Sequence, residues 1–313
     1  MFIKTKLKLF FGLILTAVII YFSIRSLGRL HPGKVFRFDI NWSLAAVSIV
    51  VFMYANYIRG LAYTRGMDRN IDRLTAFQIV GIGHAANMIL PLHAGEGLRL
   101  AFFPSDYSAM RRTKILIIQA IADVVVILMI SLLAVPFAGF KDPNLLKALW
   151  ILSILCISVG ILLSAVIVLV PRLRNYAKGY LDIDIVKMMF WIILSWILLL
   201  MSTWIGLIAF GFHAAESMRM SLAVFAATNI INFIPATPGA IGLFEYGVII
   251  GLGWLGINQT TALSAGLLLH LIQYAALLPM GGALYIKAIH GKYGEALREM
   301  QHKSPQKVTI LKK

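Results

Sequence analysis

Long apolar runs alternate with short polar connections along this chain. About 20 consecutive apolar residues span the hydrocarbon core of a bilayer as a helix. Six runs approach or exceed that length, at about 7–24, 42–62, 115–137, 149–170, 188–212 and 262–286. Two further apolar stretches, at about 75–103 and 221–256, are interrupted by Pro, Gly and polar residues. The pattern predicts an all-α polytopic membrane protein with six spanning helices.

The second interrupted stretch is incompatible with one unbroken membrane helix. Its predicted tip contains Pro235, Pro238, Gly239 and Gly242. Proline removes a backbone donor and glycine loosens the backbone, so a helix breaks there. Four polar residues accompany the break, namely Asn229, Asn232, Thr237 and Glu245. We expect a re-entrant hairpin enclosed by protein or lining a cavity; two short helices joined by a surface turn are the alternative.

The first interrupted stretch has the same layout. Pro91 is followed four residues later by Gly95, as Pro235 is by Gly239, and the offset is 144 residues. The same offset brings spanning runs of the first half onto or just before runs of the second. We therefore predict an internal repeat, with one membrane unit at 1–144 and another at 145–290. The polar residues of this first break are Asn87, His93, Glu96 and Arg99.

The two repeats are predicted to have inverted topology. Each half would cross the bilayer three times, and an odd number of crossings turns the second half upside down. With the N-terminus in the cytoplasm, most of the 29 Lys and Arg residues fall in cytoplasmic segments, as the positive-inside rule requires. Both termini are then cytoplasmic, and residues 291–313 form a basic cytoplasmic tail.

Composition agrees with a membrane protein and narrows the partners. The chain is 60% hydrophobic and 13% charged, and its formal net charge is +16. Orientation and anionic lipid headgroups explain these basic residues, so we expect no nucleic acid partner. Lys4, Lys6 and Lys8 precede the first run as in a signal peptide, but no small-residue cleavage pattern follows. We expect an uncleaved first membrane helix.

Candidate binding residues cluster at the two breaks, where helix ends offer unpaired backbone groups. Glu96 and Arg99 lie three residues apart and share a helical face. Arg99 is suited to a lipid phosphate and Glu96 to a cationic or hydroxyl headgroup, or the two form a salt bridge that fixes the tip.

Isolated polar residues within the apolar runs are a second source of candidates. Asp123 lies near mid-membrane, where a charge is costly, and we expect it to accept from Arg99 or His84 or to meet a structural partner. His270 and Gln273 favour packing and interhelical hydrogen bonds. Arg59, at the end of its run, is expected to extend to the interface.

An enzymatic site is not expected. His84, His93 and Glu96 lack the spacing of a metalloprotease motif, and the chain contains no G-x-S-x-G elbow. We predict no catalytic residue, no metal and no cofactor.

The segments P-A-T-P-G-A-I-G-L-F-E, from Pro235 to Glu245, and L-P-L-H-A-G-E-G-L-R, from Leu90 to Arg99, resemble the two signature regions of a known family. This is the lysylphosphatidylglycerol synthase/flippase transmembrane family, and the resemblance covers about residues 5–290. His93 and Ala240 stand where common family forms have Arg and Gly.

The resemblance implies lipid or lipid-linked substrates. The family includes the flippase domain of the bacterial multiple peptide resistance factor, which moves aminoacylated phosphatidylglycerol between leaflets. We expect a stand-alone lipid transporter in the prokaryotic cytoplasmic (inner) membrane, with anionic or lipid-linked headgroups as ligands. The alternative is a non-transporting membrane subunit that supports a glycosyltransferase or lipid-modifying synthase. A homodimer, or association with a lipid-modifying enzyme, is compatible with either function.

Overall fold

A computed structural model of the chain describes residues 39–90, 94–138, 184–231 and 238–303, with isolated helical positions at 147, 150, 151, 154 and 158. The described residues form helices joined by short turns, and no strand occurs among them. The all-α expectation is confirmed for this part of the chain.

The described α-helices are numbered here in chain order. They are α1 (Trp42–Ala62), α2 (Arg73–Ile89), α3 (Ala94–Arg99), α4 (Ala109–Ala138), α5 (Ile185–Ala209), α6 (Ala214–Ile231), α7 (Leu243–Gly253) and α8 (Gln259–Lys303). A π-helical turn, Tyr63–Met67, extends α1, and 3₁₀ turns at Leu100–Phe102 and Pro238–Ala240 follow α3 and precede α7.

Four described segments are long and apolar enough to cross a membrane. They are Trp42–Met67, Ala109–Ser131, Ile185–Ala209 and Gln259–Gly291. Each coincides with a predicted run, and the chain is a multi-pass membrane protein. The predicted run at 7–24 and nearly all of 149–170 lie outside the described residues, so the number of six crossings stays a prediction.

Both interrupted stretches fold back on themselves as helical hairpins. In the first, α3 packs so closely on α2 that a side chain at Gly95 would collide with the carbonyl of Gly83 and the side chain of Asn87. In the second, a methyl group at Gly247 of α7 would lie 2.9 Å from the Cα of Thr228 on α6. Small residues permit such close helix contacts. The depth of the hairpins in the bilayer stays a prediction.

The two breaks approach each other. Tyr274 on α8 donates a hydrogen bond to the carbonyl of Met88, near the end of α2, at 3.4 Å. A side chain at Gly239, in the second break, would lie 3.0 Å from the same carbonyl. The order of long helix, broken hairpin and long helix therefore occurs twice, and the two broken ends converge. The inverted relation between the halves stays a prediction.

The long helices α1 and α5 form the seam between the halves. The hydroxyl of Ser48 donates to the carbonyl of Ser202 at 2.8 Å, and the hydroxyl of Ser202 donates to the carbonyl of Ser48 at 2.9 Å. Hydroxyl-to-carbonyl bonds of this kind join apolar helices without bulky side chains. One apolar cluster joins the start of α1 to the end of α5, α7 and α8, and a second joins the end of α1 to α2, α4 and the start of α5.

Side-chain caps fix where helices begin. Asp72 precedes α2, and its carboxylate accepts from the backbone of Leu74 at 2.9 Å and of Thr75 at 3.0 Å. Burial acts to raise the pKa of Asp72, but hydrogen bonds from Thr75 and Leu74 outweigh it and hold that pKa below its ordinary value. Asp184 caps α5 in the same way, with its bond to the backbone of Lys187.

The last helix is longer than its apolar run predicts. It continues through Pro279 to Lys303, so the predicted boundary at residue 290 falls inside α8. Proline is tolerated in a membrane helix where neighbouring helices support the backbone, and α2 packs along α8 on one side. The first part of the predicted tail is therefore helical, whereas 304–313 lie outside the described residues.

Candidate functional site

A cavity of about 480 Å³ lies between the two hairpins and the long helices. Apolar side chains from α4, α5 and α8 form part of its wall, as the apolar runs predict. The polar residues that line it are Asn56, Arg59, His84, Asn87, Glu96, Arg99, Gln119, Asp123, Thr203, Thr228, Asn229 and Gln273. Most of them come from the first half of the chain, and all four ionised ones do.

Arg59 occupies the centre of one charged cluster. Its Nη1 donates to Asp123 Oδ1 at 2.9 Å and its Nε donates to Ser195 Oγ at 3.2 Å. The guanidinium carbon lies 4.5 Å from the ring centre of Trp196. Arg59 is 4% exposed, so the expectation that it extends to the interface is wrong. The π-helical turn carries the helix on to Met67 and leaves Arg59 more than a turn inside it.

Asp123 meets a structural partner, Arg59, which is one of the expected alternatives. Besides Arg59, its Oδ1 accepts from the indole Nε1 of Trp196 at 2.9 Å. The other expected partners were Arg99 and His84, and His84 instead lies 2.5 Å from Asn56 Oδ1 through its Nδ1. Because Asn56 Nδ2 donates to the carbonyl of Phe52 at 2.9 Å, its oxygen faces the histidine and Nδ1 is the donor.

The first hairpin carries a second charged cluster. Arg99 Nη1 donates to Glu96 Oε2 at 2.9 Å, which confirms the predicted ion pair. Asn87 Nδ2 on α2 donates to Glu96 Oε1 at 3.1 Å, and this bond ties the two arms together. The arginine side chain is 4% exposed whereas the glutamate is 48% exposed. The carboxylate is therefore the accessible member of the pair.

Unpaired polar atoms concentrate in this cavity. Arg59 Nη2, Arg99 Nε, Arg99 Nη2 and Gln119 Nε2 are buried donors without a hydrogen-bond partner among the described residues. The oxygen of Gln119 is already used, because the hydroxyl of Tyr63 donates to it. One acceptor, Asn87 Oδ1, is unpaired as well. Leaving a buried donor unpaired costs about 1–3 kcal/mol, and more for a charged group.

This arrangement favours an anion with several acceptor oxygens. Each arginine keeps one carboxylate partner, so the two pairs are neutral, yet both retain N–H groups for a further acceptor. Guanidinium groups bind phosphate oxygens well because their donors match the spacing of the oxygens. The cavity can thus hold a phosphate near Arg59 and Arg99 and a hydroxyl or ammonium group near Glu96.

The second hairpin contributes less charge to the cavity. Asn229 lines the cavity and donates to the carbonyl of Phe225 at 2.8 Å. Glu245 is not part of the lining, because its carboxylate accepts from the backbone of Gly242 at 2.8 Å and lies 2.5 Å from His270. Asn232, Thr237 and His93, three of the predicted binding residues, lie outside the described residues.

The structure describes only some of the predicted tip residues. Pro91 and Pro235 lie outside the described residues, and Pro238 begins the 3₁₀ turn before α7. Gly239 and Gly242 have φ values of 59° and 84°, which L side chains rarely adopt. These glycines permit the sharp turn into α7.

Several lining residues are missing from the sequence prediction. Gln119 lies four residues before Asp123, and Asn56 lies three residues before Arg59, so each pair shares a helical face. That spacing is a usable signal inside an apolar run. Trp196, which lines the cavity, and Ser195, which bonds Arg59, carry no such signal, because both residue types are common in membrane helices. In the described ranges, no three His, Cys, Asp or Glu side chains cluster as metal ligands would.

The residues that form this cavity lie in the part of the chain that matches a known protein family. Searches of curated proteins and of solved structures gave no match. The family model described as lysylphosphatidylglycerol synthase TM region matches residues 9–281, a stretch that includes α1 to α7, both hairpins and all the polar lining residues. The cavity is thus built entirely from the matched region. The chain belongs to the lysylphosphatidylglycerol synthase transmembrane region family, a membrane family related to lipids.

Proposed function

We propose that this protein moves a lipid with a phosphate-bearing headgroup between the leaflets of the prokaryotic cytoplasmic membrane. The headgroup enters the cavity between the two hairpins while the acyl chains stay in the bilayer. The observation that carries the proposal is the set of unpaired guanidinium donors on Arg59 and Arg99, which line a cavity inside an apolar helix bundle.

The charge balance of the cavity supports a zwitterionic or aminoacylated headgroup. Arg59 and Arg99 are compensated by Asp123 and Glu96, so an added phosphate would carry the excess charge. An ammonium group on the same headgroup restores neutrality, and the half-exposed carboxylate of Glu96 is its natural contact. Substrates of this class include phospholipids with amine headgroups and aminoacyl-phospholipids.

The convergence of two broken hairpins supports transport by alternating access. Transporters with repeated halves place their sites where broken helices end, and rocking of one half against the other exposes the site to each side in turn. The cavity also favours this function over a non-transporting subunit for a synthase or glycosyltransferase. Such a subunit does not require a cavity that is lined by buried unpaired donors. A homodimer or an associated enzyme is compatible with the proposal.

Reconstitution of the purified full chain in vesicles tests the proposal. Vesicles with fluorescent phosphatidylethanolamine, phosphatidylglycerol or lysyl-phosphatidylglycerol are treated with an impermeant quencher, and the loss of inner-leaflet signal is followed. We expect faster exchange than in protein-free vesicles for at least one class with an amine headgroup. Exchange no faster than in empty vesicles for every class contradicts the proposal.

A further inference from the structure

His270 on α8 lies between two hydrogen-bond acceptors. Its Nε2 is 2.8 Å from the carbonyl of Gly239, and its Nδ1 is 2.5 Å from Glu245 Oε1. The side chains are 5% exposed for His270 and 11% for Glu245. His270 therefore joins the last long helix to the turn at Gly239 and to the start of α7 at Glu245.

The two contacts of His270 require an extra proton. The His270–Glu245 pair must carry one proton more than a neutral imidazole and an ionised carboxylate do together. The carbonyl of Gly239 can only accept, so Nε2 carries a hydrogen. A neutral imidazole would then face Glu245 with a bare Nδ1, and two lone pairs would meet at 2.5 Å. The contact is attractive only when a proton lies between Nδ1 and Oε1. The pair is then either imidazolium and carboxylate or imidazole and carboxylic acid.

The same pair holds an unfavourable turn in place. Gly239, Ala240 and Gly242 all have positive φ values, and Ala240, at 56°, is the one non-glycine residue among those described that has a positive φ. A non-glycine residue in this region costs about 1–2 kcal/mol. Glu245 bonds the turn at Gly242, and His270 bonds it at Gly239. Gly239 and Ala240 line the cavity, so the pair controls part of the cavity wall.

Among the described residues, few other titratable groups lie near the pair. Beside the pair, α8 contributes Tyr274, whose ring centre lies 4.9 Å from that of His270, and α7 contributes the ring of Phe244, also at 4.9 Å. From α2 the nearby group is the carbonyl of Met88, and α6 contributes Thr228 against Gly247. The ionised groups of α1, α3 and α4 that share the cavity are Arg59, Glu96, Arg99 and Asp123.

We propose that Glu245 and His270 form a proton-binding site that latches the second hairpin, and that loss of the proton to cavity water opens the latch. Once the proton leaves, the neutral imidazole has one hydrogen for two acceptors. Because the carboxylate is the stronger acceptor, that hydrogen lies on Nδ1, and the bare Nε2 repels the carbonyl of Gly239. The turn at Gly239 then loses its anchor. Coupling of this proton to lipid movement rests on the proposed function, whereas the latch itself does not.

Two variants separate the closed state from the open one. In Glu245→Gln, the amide nitrogen donates to Nδ1 and the amide oxygen accepts from Gly242, so the latch stays closed without a labile proton. In His270→Phe, both bonds of the imidazole are lost while an aromatic ring remains between Phe244 and Tyr274. His290→Phe is the matched control, because His290 is exposed on the same helix and, in the described part of the chain, bonds to its own helix only, at Ile286.

The mobility of a spin label reports whether the latch is closed, and this measurement does not require lipid transport. The label is placed at Ile241→Cys, which is 48% exposed and lies in the turn, after the single cysteine, Cys156, is replaced by serine. When the pH is raised from about 5 to about 9, the unmodified latch should show one transition from immobile to mobile label. Glu245→Gln should be immobile throughout, His270→Phe mobile throughout, and His290→Phe unchanged.

Histidine NMR tests for the proton directly. With ¹⁵N-labelled histidine and ¹³C-labelled glutamate in the full chain, the acidic end should show the shared proton, either as a second N–H on His270 or as a protonated Glu245 carboxyl, and Glu245→Gln should show a bare Nδ1. The absence of this proton from both groups at every pH overturns the proposal, as does a label transition that persists in Glu245→Gln.

Transport measurements then distinguish the latch from the function. If lipid moves, a gradient of about one pH unit should change its initial rate by up to about tenfold, and neither latch variant should respond. Lipid movement that does not depend on the pH gradient contradicts the coupling but not the proposed function. An absence of movement in every arm removes the proposed function, while the label and NMR results still decide the latch.

Discussion

The two hairpins share a layout but differ in chemistry. In the first, Asn87, Glu96 and Arg99 present charge and amide groups to the cavity. In the second, Glu245 turns away from the cavity and bonds to its own helix start and to His270, while Gly239 and Ala240 provide the wall. The carboxylate of the first hairpin is half exposed, and that of the second is buried.

This difference indicates a division of labour within a repeated layout. A half-exposed carboxylate beside a buried guanidinium with unpaired donors suits ligand binding, because it can exchange partners. A buried carboxylate with both oxygens occupied suits the control of backbone shape. In the proposed function the first half provides the ligand contacts, and in the proposed latch the second provides the movable wall.

The largest expected effect follows from removing the free donors of the first hairpin. Arg99→Gln deletes both unpaired guanidinium nitrogens and the partner of Glu96, so we expect the initial rate of lipid movement to fall about 100-fold, equivalent to about 3 kcal/mol. The vesicle assay measures this. Arg219→Gln, an exposed arginine on α6, is the matched control and should stay within about twofold of the parent. An equal loss of rate in Arg99→Gln and Arg219→Gln would contradict the assignment of ligand binding to the first hairpin.

The buried pair on α1 and α4 should dominate stability. Asp123→Asn leaves Arg59 buried without its counter-charge, and we expect the free energy of unfolding to fall by about 3 kcal/mol. Unfolding in mixed detergent micelles gives the value. Glu216→Gln, an exposed carboxylate at the start of α6, should change it by less than about 1 kcal/mol. Stability equal to that control would show that Asp123 does not compensate Arg59.

Glycine substitutions compare the packing of the hairpins. Gly95→Ala forces a methyl group against the backbone of α2, and we expect a loss of about 2 kcal/mol in the same unfolding assay. Gly97→Ala in the same short helix meets nothing within 4 Å and should be neutral or stabilising by up to about 1 kcal/mol. Gly247→Ala in the second hairpin should fall between them. An equal effect of Gly95→Ala and Gly97→Ala would contradict the close contact of α2 and α3.

The smallest expected effect concerns the cap of the first hairpin. Asp72→Ala should cost about 1 kcal/mol at neutral pH. Because hydrogen bonds hold the pKa of Asp72 below its ordinary value, this stabilisation is complete above the unfolded-state pKa of about 4. It is lost as the pH falls through the lower folded-state pKa, so the gap between parent and variant should close in acid.

Asp72→Asn provides the control for that titration, because asparagine caps a helix but does not ionise. Its stability relative to Asp72→Ala should not depend on pH over the same range. A gap between parent and Asp72→Ala that persists in acid would mean that the carboxylate charge is irrelevant to the cap.

The positions of the described helices follow from the sequence because apolar length is a strong signal. The runs at 42–62 and 188–212 correspond to α1 and α5 within a few residues. The continuation of α1 to Met67 and of α8 to Lys303 was not predicted, because a change in composition does not force a helix to end. Support from neighbouring helices decides this, and one sequence does not reveal those neighbours.

The site was predictable in part. Glu96 and Arg99 share a face of one short helix, so their pairing follows from local spacing. The partners of Asp123 and Glu245 come from other helices, at Arg59 and His270, and local spacing carries no information about them. The identification of Arg59 as an interface residue failed because its distance from the end of the apolar run was mistaken for its distance from the helix end.

The stacking of Arg59 on Trp196 gives the protein an optical reporter of its own. Indole fluorescence responds strongly to a nearby charge, and this ring touches a cation on its face and a carboxylate at its nitrogen. Any headgroup that moves the guanidinium away from the ring changes both of these contacts at once. Replacing the other five of the six tryptophans with phenylalanine would leave an emission that follows occupancy of the cavity in unlabelled lipid, in real time.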